Sequence, residues 1–363
     1  MRITWIALLC LALAGCGGES TSTDMTAEAK PAETFNWKLV TTWPKNFPGL
    51  GLAPEYFAEN VERMSNGRLK IKVFGAGQLV PAFEVFDAVS QGTAEMGHGA
   101  AYYWQGKIPA SALFTAVPFG LNAQEMNAWL HYGGGLELWR ELYAPFNLVP
   151  YAGGNTGVQM AGWFNREINS MADIQGLKMR IPGLGGEVFT RAGGMSVQRS
   201  GGEIYTSMQT GEIDAAEWVG PYNDLAFGFH QIAKYYYFPG WQEPGPTLEL
   251  IINKQALESL PEDLQAIVES AARAANQNML DEYTARNNAA LIELVETHGV
   301  QVKKLPDDVL AEFQRISTIV VDEMAAEDPL AQRITDSMRA FAKQSKAYHG
   351  ISEEAYYKAR GKE

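Results

Sequence analysis

The chain is poor in the groups with which proteins do covalent chemistry. Its two cysteines, Cys10 and Cys16, both lie near the start, so neither a disulfide framework nor a cysteine-based metal site can be built in the body. The five histidines (His98, His131, His230, His298 and His349) form no pair at the three- or four-residue spacing of helical metal ligands. No serine of a G-x-S-x-G elbow is present. Gly75 and Gly77, and Gly183, Gly185 and Gly186, start dinucleotide-like loops without completing G-x-G-x-x-G, and read as turns. There is no Lys/Arg run, and the net charge of −13 disfavours nucleic acid as a partner. No apolar run reaches eighteen residues, so no stretch is long enough to span a bilayer comfortably. No nucleophile-and-base pairing emerges, and the chain is expected to bind rather than to transform.

What is present begins with a leader. Arg2 precedes the apolar run Ile3 to Ala14, the length of a signal-peptide core. The run ends in Leu13, Ala14, Gly15 and Cys16, which resembles the lipobox of bacterial lipoproteins. Residues 1–15 are therefore expected to be a lipoprotein signal peptide and Cys16 a lipidated N-terminus, with plain cleavage as the alternative. Residues 16–34 are rich in Gly, Ser, Thr, Ala and Glu with no apolar period, and read as a flexible tether. The expected location is the periplasm, anchored through Cys16.

The body, long enough for two domains, opens with alternation. Trp37, Leu39 and Thr41 suit a strand, Tyr56, Phe57, Val61 and Met64 a helical stripe, and Leu69, Ile71 and Val73 a second strand. Strand, helix and strand in that order imply a parallel βαβ unit. Further helices are expected over 81–91, 124–132, 136–143, 186–192 and 202–210, with strands over 147–152, 158–165, 213–218, 235–238 and 247–253. From Pro261 to His298 apolar residues recur every three, four or seven positions, predicting one helix on the order of 55 Å long. That exceeds the width of one small domain. Helices over 307–326, 329–347 and 352–360 follow.

Leu177, Met179 and Ile181 share one face of a short strand, and Lys178 and Arg180 the other. Pro182 and Gly183 then stop it. An arginine at a strand end beside a Gly-rich loop stands where open α/β sheets present ligands. Alone it could equally be a surface ion pair. Around it the sequence offers amides (Asn155, Gln159, Asn223), aromatics (Trp43, Tyr102, Tyr103, Trp218) and two acids beside chain breaks, Glu217 and Glu243. In a chain this acidic, an anionic ligand needs a local cation, and Arg180 is the candidate.

From Phe35 to about Gln314 the chain resembles an extracytoplasmic solute receptor (DctP type) of the tripartite ATP-independent periplasmic (TRAP) transporters. The opening strand with Trp43, the Asn66 to Ile71 segment, Asp173 to Pro182 and Gly211 to Trp218 carry the resemblance. The similar branch is that of alpha-keto-acid-binding receptors. The resemblance implies an α/β, two-domain periplasmic-binding-protein-like fold with a hinge cleft, a long bracing helix and a helical C-terminus. Residues 35–154 with 247–310 would form domain I, 155–246 domain II, and 311–363 the C-terminal helices. It implies a receptor, not an enzyme, that captures a small 2-oxo or 2-hydroxy monocarboxylate such as pyruvate and delivers it to membrane permease subunits. Arg180 would grip the carboxylate bidentately, with Gln159 and Trp218 beside it and Asn155, Tyr103 and Asn223 as further contacts. Gln159, Glu217, Trp218 through its carbonyl, and Glu243 would hold a sodium ion, or alternatively calcium, since an oxygen-only set suits hard cations. A homodimer is also implied. A C4-dicarboxylate or other organic acid remains the alternative ligand, with Arg191 or Arg199 as second contact; an envelope enzyme acting on small acids is a more distant one.

Overall fold

The structure, a computed structural model, describes residues 33–361. The expected signal peptide, the lipobox cysteine Cys16 and nearly all of the tether lie outside the described residues. Strand β1 (Phe35–Thr41) is followed by helix α1 (Ala53–Met64) and strand β2 (Leu69–Phe74). Phe57 and Val61 of the α1 stripe are fully buried, which fixes the helix on the sheet. Asn66 and Gly67 take positive φ of 52° and 75° to turn the chain back. The strands pair in parallel from Phe35↔Leu69 to Val40↔Phe74, the expected βαβ unit.

Helix α2 (Val85–Ser90) and strand β3 (Met96–Gly99) come next, with a 3-10 turn over Ala82–Glu84 where a continuous helix was expected. Helices α3 (Ala123–Tyr132) and α4 (Gly135–Tyr143) precede strand β4 (Leu148–Asn155). Beyond β4 the chain builds a second sheet from β5 (Gly162–Phe164), β6 (Lys178–Arg180) with α5 (Gly183–Arg191), β7 (Met195–Val197) with α6 (Gly201–Gln209), β8 (Ala215–Ala216) with α7 (Pro221–Phe227), and β9 (Tyr235–Phe238). It then returns through β10 (Thr247–Asn253), α8 (Lys254–Glu258), α9 (Glu262–Glu296), β11 (Gln301–Lys304), α10 (Asp307–Ala326), α11 (Pro329–His349) and α12 (Glu353–Arg360).

Among the described residues one sheet has the order β2-β1-β3-β10-β4 and the other β11-β9-β5-β8-β6-β7. Strand β10 lies antiparallel between β3 and β4, so the chain that leaves the first sheet after β4 comes back beside it. Two differences from the expected layout concern the second sheet. The strand expected over 213–218 shrinks to Ala215–Ala216, and Glu217 and Trp218 beyond it are buried, Trp218 lining the cavity. Gln301–Lys304, expected with the first domain, pairs in parallel with β9 of the second sheet.

Helix α9 has 35 residues, about 52 Å at the standard rise. Leu264, Val268, Ala271 and Ala275 bury into the core of the first sheet, while Met279, Tyr283 and Leu294 belong to the other apolar cluster. The helix also packs on α7, which follows β8. One rigid element thus braces both halves. The two-domain architecture with a helical C-terminus agrees with the fold expected from the sequence.

Candidate functional site

The second sheet sets the centre of the site by register. Strands β6 and β8 are parallel with Arg180 opposite Ala216, so Glu217 is the next residue out, and its N–H donates to the Arg180 carbonyl at 3.1 Å. The outer face of β6 is exposed at Lys178 but buried at Arg180, which is only 1% exposed. Gly183 at φ +64° lets α5 begin immediately beyond; a Cβ there would stand 3.0 Å from the Tyr102 ring.

The two segments joining the halves run side by side and bring the remaining groups in. The Gln159 N–H donates to the Glu243 carbonyl at 3.1 Å, and the Gln242 side chain donates to the Met160 carbonyl at 2.8 Å. Trp43, Leu50, Tyr102, Tyr103, Thr156, Gln159, Trp218, Val219, Glu243 and Leu248 enclose a cavity of about 10 Å³. Residues from both halves therefore close on one small space.

The Arg180 guanidinium is nearly saturated. Its Nη1 donates to the Glu217 carbonyl at 3.0 Å and forms a buried ion pair with Glu217 Oε1. Its Nε donates to the Arg199 carbonyl and its Nη2 to the Tyr103 hydroxyl, each at 3.3 Å. The Trp218 ring lies 5.2 Å from the guanidinium carbon, a cation–π distance. Glu217 takes Nη1 entirely, so Nη2 is what remains toward the cavity. The two-pronged carboxylate grip expected from the sequence is not open in this arrangement.

Burial raises the Glu217 carboxyl to about 7, with Arg180 pulling the other way. Glu243 is pushed up well above the carboxylate range by burial and then by the charge of Glu217. Burial opposes the Arg180 charge, but Glu217, the two tyrosines and Glu243 outweigh it, and its pKa is raised. One arginine thus faces two buried acids, and with both ionised an incoming carboxylate would leave two negative charges uncompensated, the kind of repulsion by which Glu217 raises Glu243.

The unpartnered atoms indicate how this is resolved. Gln159 Oε1, Glu217 Oε2 and Gln242 Oε1 are buried without a hydrogen-bond partner, and so is the Trp218 indole N–H. A buried acceptor left unmade costs about 1–3 kcal/mol. The orphaned oxygens of Gln159, Glu217 and Gln242 are donors of the kind a hard cation takes, and with Glu243 and the Trp218 carbonyl they make an oxygen-only set that fits sodium or calcium chemically. Gln242 was not singled out from the sequence; its place directly before Glu243 was the available signal. Thr156, whose hydroxyl accepts from Gln159 Nε2 at 3.2 Å, was also missed.

Two residues expected at the ligand are occupied elsewhere. Asn155 is buried, but its Nδ2 donates to the Gly245 carbonyl at 3.0 Å and its Oδ1 accepts the Gly157 N–H at 2.9 Å. It clasps the outgoing segment to the returning one. Asn223 donates to the Pro48 carbonyl at 2.9 Å and accepts from the Tyr283 hydroxyl at 2.7 Å, tying α7 to the first half and to α9. Neither lines the cavity; Arg180 and Glu217 also stand behind its lining, against Tyr103 and Trp218. Arg191 and Arg199 pair with Glu187, Glu323 and Glu212 on the surface, so neither supplies the second cation a dicarboxylate would want. A larger cleft, about 840 Å³, opens between the start of α3 and helices α11 and α12, but no unpartnered buried polar side chain among the described residues lines it.

Residues 39–328 match the bacterial extracellular solute-binding proteins of family 7, DctP. The chain belongs to this family. The family is one of binding proteins, in keeping with the expectation of a receptor and not an enzyme. This solute-binding protein is 43% identical to a monocarboxylate 2-oxoacid-binding periplasmic protein of Nostoc over 97% of this chain and 95% of the relative. It is 40% identical to a TRAP periplasmic solute-binding protein of Pseudoalteromonas atlantica, solved with bound sodium and pyruvate, with a TM-score of 0.88 over 90% of this chain and 99% of that one. A Colwellia psychrerythraea counterpart with bound calcium and pyruvate is 41% identical, with a TM-score of 0.88 over 90% of this chain and 100% of that one. No helix among the described residues of this solute-binding protein is long and apolar enough to cross a membrane.

Proposed function

We propose that the protein is the solute receptor of a TRAP transporter, capturing a small 2-oxo or 2-hydroxy monocarboxylate such as pyruvate and handing it to membrane permease subunits. The observation that carries this is Arg180, buried against Glu217 directly behind the Tyr103 and Trp218 wall of a small cavity lined by Gln159 and Glu243, with Gln159 Oε1 and Glu217 Oε2 unpartnered. The ligands printed for the Nostoc, Pseudoalteromonas and Colwellia proteins support it. So does the surface pairing of Arg191 and Arg199, which leaves no second cation for a dicarboxylate.

Arg180 Nη2 and the Tyr103 hydroxyl, 3.3 Å apart, are the donors for the carboxylate. Trp218 covers the guanidinium and excludes water, which strengthens the attraction. Gln159, Glu217, Glu243 and the Trp218 carbonyl would hold the cation, sodium or alternatively calcium, which supplies the positive charge that one arginine cannot. Closure would occur between domain I (35–154 with 247–310) and domain II (155–246), and the described segments Asn155 to Met160 and Gly240 to Thr247 would act as its hinge, beside the C-terminal helices of 311–363. Lipid attachment at Cys16 would tether the receptor, and intact mass of the mature protein checks it. The exposed Tyr348, Ile351, Tyr356 and Tyr357 of the C-terminal helices suit a homodimer, which sedimentation at micromolar concentration checks.

Titration calorimetry with pyruvate tests the central reading. Arg180→Ala should abolish binding, and Arg180→Lys should weaken it strongly, because a single ammonium cannot hold Glu217 and reach the ligand beside Tyr103 at once. Chelated, sodium-free protein should bind far more weakly than protein with either ion restored. Unchanged affinity in both arginine variants would overturn the assignment, and full binding without either ion would overturn the cation.

A further inference from the structure

The cavity wall contributed by the first half depends on a residue that touches no part of the cavity. His98 lies on β3 and is fully buried. Its Nδ1 accepts the indole N–H of Trp43 at 2.8 Å, and its Nε2 lies 3.2 Å from the Gly153 carbonyl on β4. With Nδ1 accepting and a carbonyl facing Nε2, the proton belongs on Nε2. Burial lowers the ring to about 4, consistent with a neutral ring at pH 7. The Trp43 ring held in this way meets Trp218 edge-on at 6.1 Å and Tyr103 at 6.0 Å. Trp218 comes from the opposite half and lies over Arg180.

We propose that His98 is a positioning residue that sets ligand selectivity, by pinning Trp43 to β4 as the fixed wall against which Trp218 closes. A neutral imidazole suits this because it bridges one donor and one acceptor in a rigid ring, whereas an apolar side chain of similar size leaves both Trp43 and Gly153 unpaired. A freed indole can rotate and widen the cavity at the place where a longer side chain would sit. His98 thereby acts on side-chain length and not on carboxylate recognition, which stays with Arg180. This inference rests on the proposed function, and two independent measurements separate them.

The first is affinity for pyruvate, 2-oxobutyrate and 4-methyl-2-oxopentanoate by calorimetry. His98→Phe, a ring without polar atoms, should narrow the preference for pyruvate over the branched acid by about tenfold. His98→Gln, which can accept and donate in the same sense, should restore the preference to within about twofold. A uniform loss of affinity for all three acids with the preference intact, alongside a lower Tm, would mean a merely structural role and overturn the proposal. The second uses the wild-type protein and needs no variant to fold: nitrogen-15 NMR of the His98 ring and of the Trp43 indole. A neutral Nε2–H tautomer with a slowly exchanging Trp43 indole proton is expected; an Nδ1–H tautomer or a freely exchanging indole overturns it. Should the wild-type protein bind none of the three acids, the proposed function is what fails, and the NMR result alone then decides whether His98 pins Trp43.

Discussion

Two buried glutamates in this protein are both raised to about 7, and for both the first cause is burial. Their surroundings differ in every other respect. Glu249, on β10 in the first half, has each oxygen engaged: Oε1 accepts the Trp104 indole N–H, and Oε2 the Tyr143 hydroxyl at 2.9 Å. Glu217 has an arginine on one oxygen and nothing on the other. Perturbation alone therefore does not mark a binding site. What separates the two is satisfaction: the acid with a full set of partners is structure, and the acid with an orphaned oxygen awaits one.

The sharpest way to break this comparison is to neutralise each acid without changing its shape. Glu217→Gln should weaken ligand binding by at least about a hundredfold and abolish its dependence on sodium or calcium, since a charge-assisted contact and a cation oxygen vanish together. Glu249→Gln should leave affinity within about threefold, as its partners lie outside the cavity. Calorimetry with and without added cation reads both, and equal losses in the two variants would erase the distinction.

The second test is pH, where Glu249 has a definite sign. Its folded pKa is about 7 against 4.5 for the ordinary side chain, so between those values the native state holds a proton that the unfolded chain has released. Stability from this group is present at low pH and is lost as pH rises through 7. Glu249→Gln, which stays neutral, should be more stable than wild type at pH 8.5, by up to about 3 kcal/mol, and should lose most of that advantage by pH 5. Thermal unfolding at the two pH values decides it. A pH-independent difference would show that Glu249 is charged in the native core.

How much of this was legible in the sequence follows from the range of the interactions. The parallel βαβ unit and α9 are written in local periodicity, and both stand where Leu69, Ile71 and Val73, or Leu264, Val268 and Ala271, would put them. Arg180 stood out because Pro182 and Gly183 mark the strand end locally. Glu249 was invisible: it lies in a strand buried along its whole length, and its partners Trp104 and Tyr143 are 145 and 106 residues away. The partners of Asn155 and Asn223 were hidden for the same reason, since an amide near a ligand and an amide tying two segments look identical until Gly245 or Pro48 is in place. Strand β11 is short and polar at three of its four residues, and only its pairing with β9 makes it a strand.

That difference between touching the ligand and holding the halves gives a smaller effect. Asn223→Ala removes the hydrogen bonds to Pro48 and Tyr283 while leaving the cavity lining intact. Each such bond is worth about 1 kcal/mol, so affinity should fall by roughly three- to tenfold through a less favourable closed form. The loss should be the same for every acid tested, and small-angle scattering should show a more open average shape. A change in ligand preference would instead return Asn223 to the ligand.

The smallest effect expected is at Arg199, and it matters because of the ligand class. Its carbonyl accepts from Arg180 Nε, but its guanidinium pairs with Glu212 at the surface. Only the backbone of Arg199 therefore reaches the site, and Arg199→Ala keeps that backbone. Surface ion pairs of this kind contribute about 0–1 kcal/mol, so Tm should barely move and pyruvate affinity should stay within about twofold. A dicarboxylate receptor would behave otherwise, because its second carboxylate would need a cation that the cavity, with Arg180 committed, does not contain. If Arg199→Ala cut succinate or malate binding more than tenfold while sparing pyruvate, the side chain must swing inward on closure, and Glu212 rather than the ligand would be its resting partner.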